Sequence, residues 1–193
     1  MMELRRGFKT EANNYAREFR EELGLQPHAP LCPWKLSDLL DIPVLSLSEF
    51  RNECPTETHY LTEINRECFS AVTVFHGHRR MIVHNDSHHP RRQASNIAHE
   101  LSHGILQHPP TEPFSEYGCR NFNKEIEEEA NWLGPALLIS EEAALHIVKT
   151  KMGMEQAVDF YGATQEVINM RINVTGAKRR IGWKKPRSKS RRY

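Results

Sequence analysis

Apolar residues recur at helical spacing through Phe8, Ala12, Tyr15, Ala16, Phe19 and Leu23, and Gly24 follows as a stop, so the pattern predicts a first helix over residues 8–23. A short helix over 34–40 is expected just after Pro33; Ile42-Pro43 breaks it, and 44–47 reads as a strand. Two β-rich runs, 68–75 and 81–84, flank a polar turn around His76-Gly77-His78-Arg79-Arg80, the pattern of a hairpin in a small sheet. Pro90 suits the first turn of a helix that runs to about Gln107, where His108-Pro109-Pro110 stops it. Ala94, Ile97, Ala98, Leu101 and Ile105 form one apolar stripe along it. Beyond a loop containing Pro113 and Gly118, helices are expected from Lys124, from a cap at Ser140, over 154–161 and over 165–175, with Gly176 closing the last.

The predicted helix over 90–107 carries His99-Glu100-Leu101-Ser102-His103, an HExxH. Two histidines four residues apart project from one face about one turn apart, so their ring nitrogens can converge on one Zn²⁺ at roughly 2.0 to 2.1 Å. Leu101 lies about 200° around the helix from His99, which lets the apolar stripe be buried while the histidines look into a cleft. Glu100, beside the first histidine, is placed to act as general base on a water activated by the metal. The motif alone does not decide the matter, because a chain this rich in His and Glu contains an HExxH by chance about one time in 15. Eight of the 11 histidines fall between positions 76 and 108. His76, His78, His88 and His89 sit in turns or loops and are expected to be exposed, and His84 is expected to be a satisfied residue at a strand edge.

A zinc site built on two histidines needs a third protein ligand and an open fourth position. His108 follows His103 by five residues, which turns it about 140° away, and an HExxHxxGxxH pattern fails because Leu106 and Pro109 occupy the later positions. The acidic helix that begins at Lys124 is the better source. With Ile126, Ala130, Leu133 and Leu137 facing the core, Glu127 and Glu129 flank that stripe, while Glu125 and Glu128 point more toward solvent. Helical geometry leaves Glu127 and Glu129 both open. Asn131, one turn beyond Glu127, could hydrogen-bond the remaining nitrogen of a metal-bound imidazole and fix its tautomer, which favours Glu127.

With 38% hydrophobic and 26% charged residues in 193, the composition suits one globular unit and excludes collagen, coiled coil or disorder as overall descriptions. No apolar stretch near Met1 suggests a signal peptide, and the greasiest later segment, 133–139, is far short of a membrane span, so a cytoplasmic location and no membrane association are expected. Cys32, Cys54, Cys68 and Cys119 form no CxxC pair and read as reduced thiols without assigned chemistry. The formal charge of +1 hides an asymmetry: residues 178–193 hold nine Lys or Arg and no acid, which leaves 17 basic against 25 acidic groups in the first 177, a net of −8.

Arg92-Gln93-Ala94-Ser95-Asn96-Ile97-Ala98-His99-Glu100-Leu101-Ser102-His103, Glu127-Glu128-Glu129-Ala130-Asn131, Ala136-Leu137-Leu138-Ile139 and the strand Ile82-Val83-His84-Asn85 together resemble the ImmA/IrrE metallopeptidases over residues 70–177. HExxH is shared by many peptidases; its combination with ExEAN and a following aliphatic run is more specific. Taken with the helices predicted before it and the basic run after it, the resemblance gives an expected α+β, zincin-like single domain over residues 1–177, with a helical lead over about 1–40, a small β-sheet packed on the HExxH helix and a mostly helical C-terminal half, followed by a flexible basic tail over 178–193. It implies Zn²⁺ held by His99, His103 and Glu127, with Glu100 catalytic, and it makes a helix-turn-helix transcriptional repressor the expected substrate. The chain departs from the family pattern at Trp132-Leu133-Gly134-Pro135 and at Ser140, and Pro135 is expected to kink its helix.

An extended peptide could bind by adding a strand to an exposed sheet edge, supplied by 68–75 or 81–84. Tyr117, His108, Arg120 and His146 are the candidates to stabilise an oxyanion. Two other readings compete. The helices over 154–161 and 165–175 have helix-turn-helix spacing and the basic tail could neutralise phosphates, with Trp183 and Tyr193 available for stacking, which would make this a nucleic-acid-binding protein. Alternatively the chain binds a repressor and regulates it without cutting, as in a toxin-antitoxin pair, although Glu100 and the ligand set argue for catalysis.

Overall fold

The computed structural model describes residues 4–77, 79–109 and 123–182. Nine α-helices occur among them: α1 Phe8–Glu22, α2 Pro33–Leu39, α3 Pro55–His59, α4 Pro90–Ile105, α5 Lys124–Leu138, α6 Glu141–Lys149, α7 Met154–Tyr161, α8 Gln165–Val174 and α9 Ala177–Arg180. The strands are β1 Val44–Ser46, β2 Ala71–His76 and β3 Arg79–His84. The architecture is α+β, with one small sheet and a helical C-terminal half, as expected. Between β1 and β2 the chain makes α3 and three short turns of 3₁₀ or π helix, a region where the sequence has no apolar periodicity to announce them.

The sheet order is β1-β3-β2, with β3 parallel to β1 and antiparallel to β2. One expectation is therefore corrected. Residues 81–84 lie on the central strand, with 82–84 paired on both sides, so of the two runs expected to supply an edge only β2 does, β1 being the other edge strand among the described residues. His84 is likewise not at an edge: it is 3% exposed on the central strand, with Nε2 3.5 Å from the Ser46 hydroxyl. His88 is also buried rather than exposed, its Nε2 2.8 Å from the Arg66 carbonyl. His76 is exposed, as expected. Asn85 is fully buried, and its amide donates to the carbonyls of Leu61 and Phe69, which fastens the turns before β2 under the sheet.

Helices α4 and α5 form the centre. One core groups Phe8, Ala12 and Phe19 of α1 with Ile82, with Ile97 and Leu101 of α4, and with Leu133 and Leu137 of α5. A second joins Ala98 and Leu138 to the buried faces of α6, α7 and α8. Gly134 makes the crossing possible: a Cβ there would meet the α4 backbone at 3.1 Å from the His99 nitrogen and 3.2 Å from the Ala98 carbonyl carbon and oxygen.

Pro135 lies inside α5, and the helix ends three residues later. Its last carbonyls are satisfied by two buried arginines. Arg20 Nη2 donates to the oxygens of Leu137 at 2.9 Å and Leu138 at 3.2 Å, with Nη1 on Ala16 O and Nε on Ala29 O. Arg171 Nε donates to Ile139 O at 2.8 Å. Cations at a helix C-terminus both complete its hydrogen bonds and oppose its dipole. Ser140 caps α6, accepting from Ala143 N, as its position predicted.

The first residues of the expected tail, Lys178 to Arg180, form α9, where Arg180 pairs with Glu141 of α6. Residues 183–193, with Trp183 and Tyr193, lie outside the described residues, as do His78 and residues 110–122 with Cys119. Cys32, Cys54 and Cys68 are free and exposed. No described helix is long and apolar enough to cross a membrane.

Candidate metal centre

Helix α4 begins with His89 accepting a hydrogen bond from Arg91 N and with Pro90 at its first position, and its buried stripe of Ala94, Ile97, Ala98 and Leu101 fixes its rotation. That rotation turns His99 and His103 toward α5. Helix α5 is started by Asn123, whose side chain accepts from Glu125 N and Ile126 N, and its contact with α4 at Gly134 sets how closely the two pass. Glu127, two turns before that contact, is thereby carried to the histidine pair.

The donor atoms converge. His103 Nε2 lies 3.2 Å from His99 Nε2. Glu127 Oε2 is 3.3 Å from His99 Nε2, and its Oε1 is 3.8 Å from His103 Nε2. One ligand atom from each of the three residues lies within 4.8 Å of the others. Two imidazole nitrogens and a carboxylate oxygen so gathered, one from each of three side chains, are the donor set of a hydrolytic zinc site that keeps a position open. The arrangement fits a divalent cation. Of the two glutamates the sequence left open, Glu127 is the one gathered with the histidine pair, while the oxygens of Glu129 contact His108 and Arg5.

The electrostatics follow from this crowding. Burial pulls the pKa of His99 down, but hydrogen bonding to Glu127, the charges of Glu100 and Glu127, and a hydrogen bond donated by the ring to Asn131 together raise it above the ordinary histidine value. Burial and the adjacent His99 charge push His103 the other way, well below it. A cation taking both Nε2 lone pairs would displace any proton held between the two rings. The Asn131 contact with His99 is the one its place one turn beyond Glu127 suggested.

Glu100 stands beside this cluster and faces the sheet. Its Oε2 accepts from the Thr73 hydroxyl of β2 at 2.7 Å, a link between α4 and the edge strand that periodicity could not reveal. Of the candidate oxyanion stabilisers, Tyr117 and Arg120 lie outside the described residues. His146 is on α6, stacked on His28 with ring centroids 4.4 Å apart, apart from the cluster. His108 has both nitrogens engaged within the protein, Nδ1 at 2.9 Å from His103 Nδ1 and Nε2 at 3.3 Å from Glu129 Oε2.

The sequence model of the peptidase M78 family, described as the IrrE N-terminal-like domain, matches residues 58–173, more than half of the chain and the span that holds every residue of the cluster. The chain belongs to the ImmA/IrrE family. No curated protein and no solved structure gives a significant match. Membership of this peptidase family supports a function of the metallopeptidase type. In this ImmA/IrrE chain the HExxH and the ExEAN segments are the parts of α4 and α5 that face each other across the Gly134 crossing.

Proposed function

We propose that the chain is a zinc-dependent endopeptidase whose substrate is a helix-turn-helix repressor, cleaved to relieve repression. The observation that carries the chemistry is the convergence of His99, His103 and Glu127 within 4.8 Å, with Glu100 alongside. His99, His103 and Glu127 hold the ion. When bound, zinc supplies Lewis acidity toward the scissile carbonyl and the attacking water. Glu100 takes the proton from that water and returns it to the leaving amine. The Thr73 hydroxyl anchors one oxygen of Glu100 and leaves the other to exchange the proton. The unpaired edge of β2 beside Glu100 suits an extended peptide, which would add as a further strand with Thr73 at its centre.

The repressor as substrate rests on the family resemblance, and a cytoplasmic location follows from that partner. The nucleic-acid reading is less well supported. The sole basic residue of α8 is Arg171, 1% exposed and bonded to the Ile139 carbonyl, so that helix presents no cation to a phosphate.

Purified chain should contain about one zinc, and Glu127→Ala or His103→Ala should abolish it. Glu100→Gln should retain zinc and lose cleavage of a helix-turn-helix protein encoded beside this chain, and a chelator should stop the wild type. Unchanged cleavage by Glu100→Gln would remove Glu100 from the chemistry, and a chain that takes up no zinc would end the reading.

A further inference from the structure

His108 is only 7% exposed, yet it is an imidazole in a chain segment that has just left a helix. Helical continuation would turn it away from His103. Instead α4 stops at Ile105, Gln107 adopts a left-handed backbone at φ 53°, and His108 N returns to bond His103 O at 3.0 Å. A non-glycine residue in that region needs support from its surroundings. Arg80 of β3 provides it, donating from Nη1 to the carbonyl of His103 and from Nη2 to that of His108, each at 2.9 Å. The reversal brings the His108 ring back over the metal-centre histidine, with the two Nδ1 atoms 2.9 Å apart.

Beyond it the contacts continue outward. His108 Nε2 is 3.3 Å from Glu129 Oε2, and the other oxygen of Glu129 accepts from Arg5 Nε at 2.7 Å. The guanidinium of Arg5 is itself seated 4.9 Å over the buried Phe8 ring. Each link in this line has only one workable sense. A carboxylate held by an arginine accepts only, so the proton of His108 belongs on Nε2. His108 Nδ1 is then bare and accepts, so the proton of His103 belongs on Nδ1 and the lone pair on Nε2, the atom that points at His99 and Glu127.

We infer that His108, Glu129 and Arg5 are positioning residues that fix the tautomer and ring orientation of His103 and so raise the affinity of the three-donor site for its cation. The inference rests on the proposed function, since it gives the cation site an outer support. It also assigns a role to the second glutamate of ExEAN, which the ligand set leaves over. Outer partners of this kind are worth about 10- to 100-fold in metal affinity.

Zinc affinity of the full chain, measured by competition with a chromophoric chelator, tests it. His108→Phe keeps a ring in the space but offers no nitrogen, and should weaken zinc about 10- to 100-fold. His108→Asn, whose Oδ1 can stand where Nδ1 stood, should recover much of the loss. Glu129→Ala should weaken zinc in the same direction even if His108→Phe does not fold, which apo melting curves in chelator will reveal. With Co²⁺ in place of zinc, the visible absorption bands should shift in His108→Phe and return toward wild type in His108→Asn. Zinc binding by His108→Phe or Glu129→Ala within twofold of wild type overturns the relay, as does an Asn variant no better than Phe. A wild-type chain that binds no zinc instead overturns the proposed function, and the relay with it.

Discussion

Replacing Gly134 by alanine tests whether the α4–α5 crossing sets the geometry of the metal centre. The new Cβ would stand 3.1 Å from the His99 nitrogen and 3.2 Å from the Ala98 carbonyl atoms. Carbon contacts are comfortable at about 3.5–4.0 Å, and the atoms met are backbone, with no side chain to swing aside. The helices must therefore part by a few tenths of an ångström. Overpacking of this kind costs about 1–3 kcal/mol, and alanine returns about 1 kcal/mol of helix propensity over glycine. The net is a destabilisation of about 0–2 kcal/mol, and each kcal/mol lowers Tm by about 2–4 °C in a chain of this size. Parting the helices also lengthens the 3.3 Å approach of Glu127 Oε2 to His99 Nε2, since each residue rides on one of them. The expected result is a lower apo melting midpoint in chelator together with weaker zinc binding. A variant stabilised by about 1 kcal/mol, as alanine gives in an open helix, with zinc affinity unchanged would refute the reasoning.

Arg20→Ala strips the donor from four carbonyls, those of Ala16, Ala29, Leu137 and Leu138, and should cost about 3–5 kcal/mol in thermal or urea unfolding; a loss under about 1 kcal/mol would mean that water replaces the guanidinium. Thr73→Val should lower kcat about 10- to 100-fold, the worth of one hydrogen bond to a charged group, at unchanged zinc affinity. Thr73→Ser should restore it, and equal rates for Val and Ser would dismiss the contact. Burial lowers the pKa of His84 below its usual 6.5 despite the nearby Asp86 and Glu49. Between the folded and unfolded values the unfolded chain binds a proton that the fold excludes, so this stability is present above pH 6.5 and lost as pH falls below it. His84→Gln should flatten the apo stability profile between pH 7.5 and 5.5; parallel profiles would contradict the assignment.

The helices with strong periodicity were legible because burial and pattern coincide: the stripe of α1 and that of α4 are buried as their spacing required. The strand runs were legible too, but not their order, since pairing across the sheet leaves no mark in any one strand; β3 took the centre. The histidine pair, Glu127 and Asn131 could be found because helical spacing is a geometric statement. What lay outside reach depended on contacts between distant segments. His108 looked misdirected because helix geometry was extended past Ile105, whereas the left-handed Gln107 reverses the chain. Arg20 falls in phase with Phe8, Ala12 and Ala16, so a buried cation was foreseeable on α1, but its acceptors on Leu137 and Leu138, over a hundred residues away, were not. Gly134 and Pro135, departures from the family pattern in sequence, become intelligible only when α4 is seen passing against Gly134.

These observations place α5 at the hinge of cause and function. Its N-terminal half carries Glu127, Glu129 and Asn131, and its C-terminal half must lie against α4 closely enough for that carboxylate to reach His99. Residues that precede the matched span 58–173 add to that placement. The other face of α5 packs on Phe8, Ala12 and Phe19 of α1, its terminal carbonyls are held by Arg20, and Glu129 is held by Arg5. The N-terminal segment therefore acts on the metal centre at three points along one helix without contributing a ligand. Removing it would expose Leu133 and Leu137, leave two helix-end carbonyls without their buried donor and uncover part of the Ile97 and Leu101 side of α4, while the HExxH helix kept its own caps and the packing of Ala98 in the second core. On this account the histidine pair is the sturdy part of the site and the carboxylate the conditional one. Disturbances in α1 should therefore weaken metal binding by displacing Glu127 from the histidine pair rather than by disordering the pair itself.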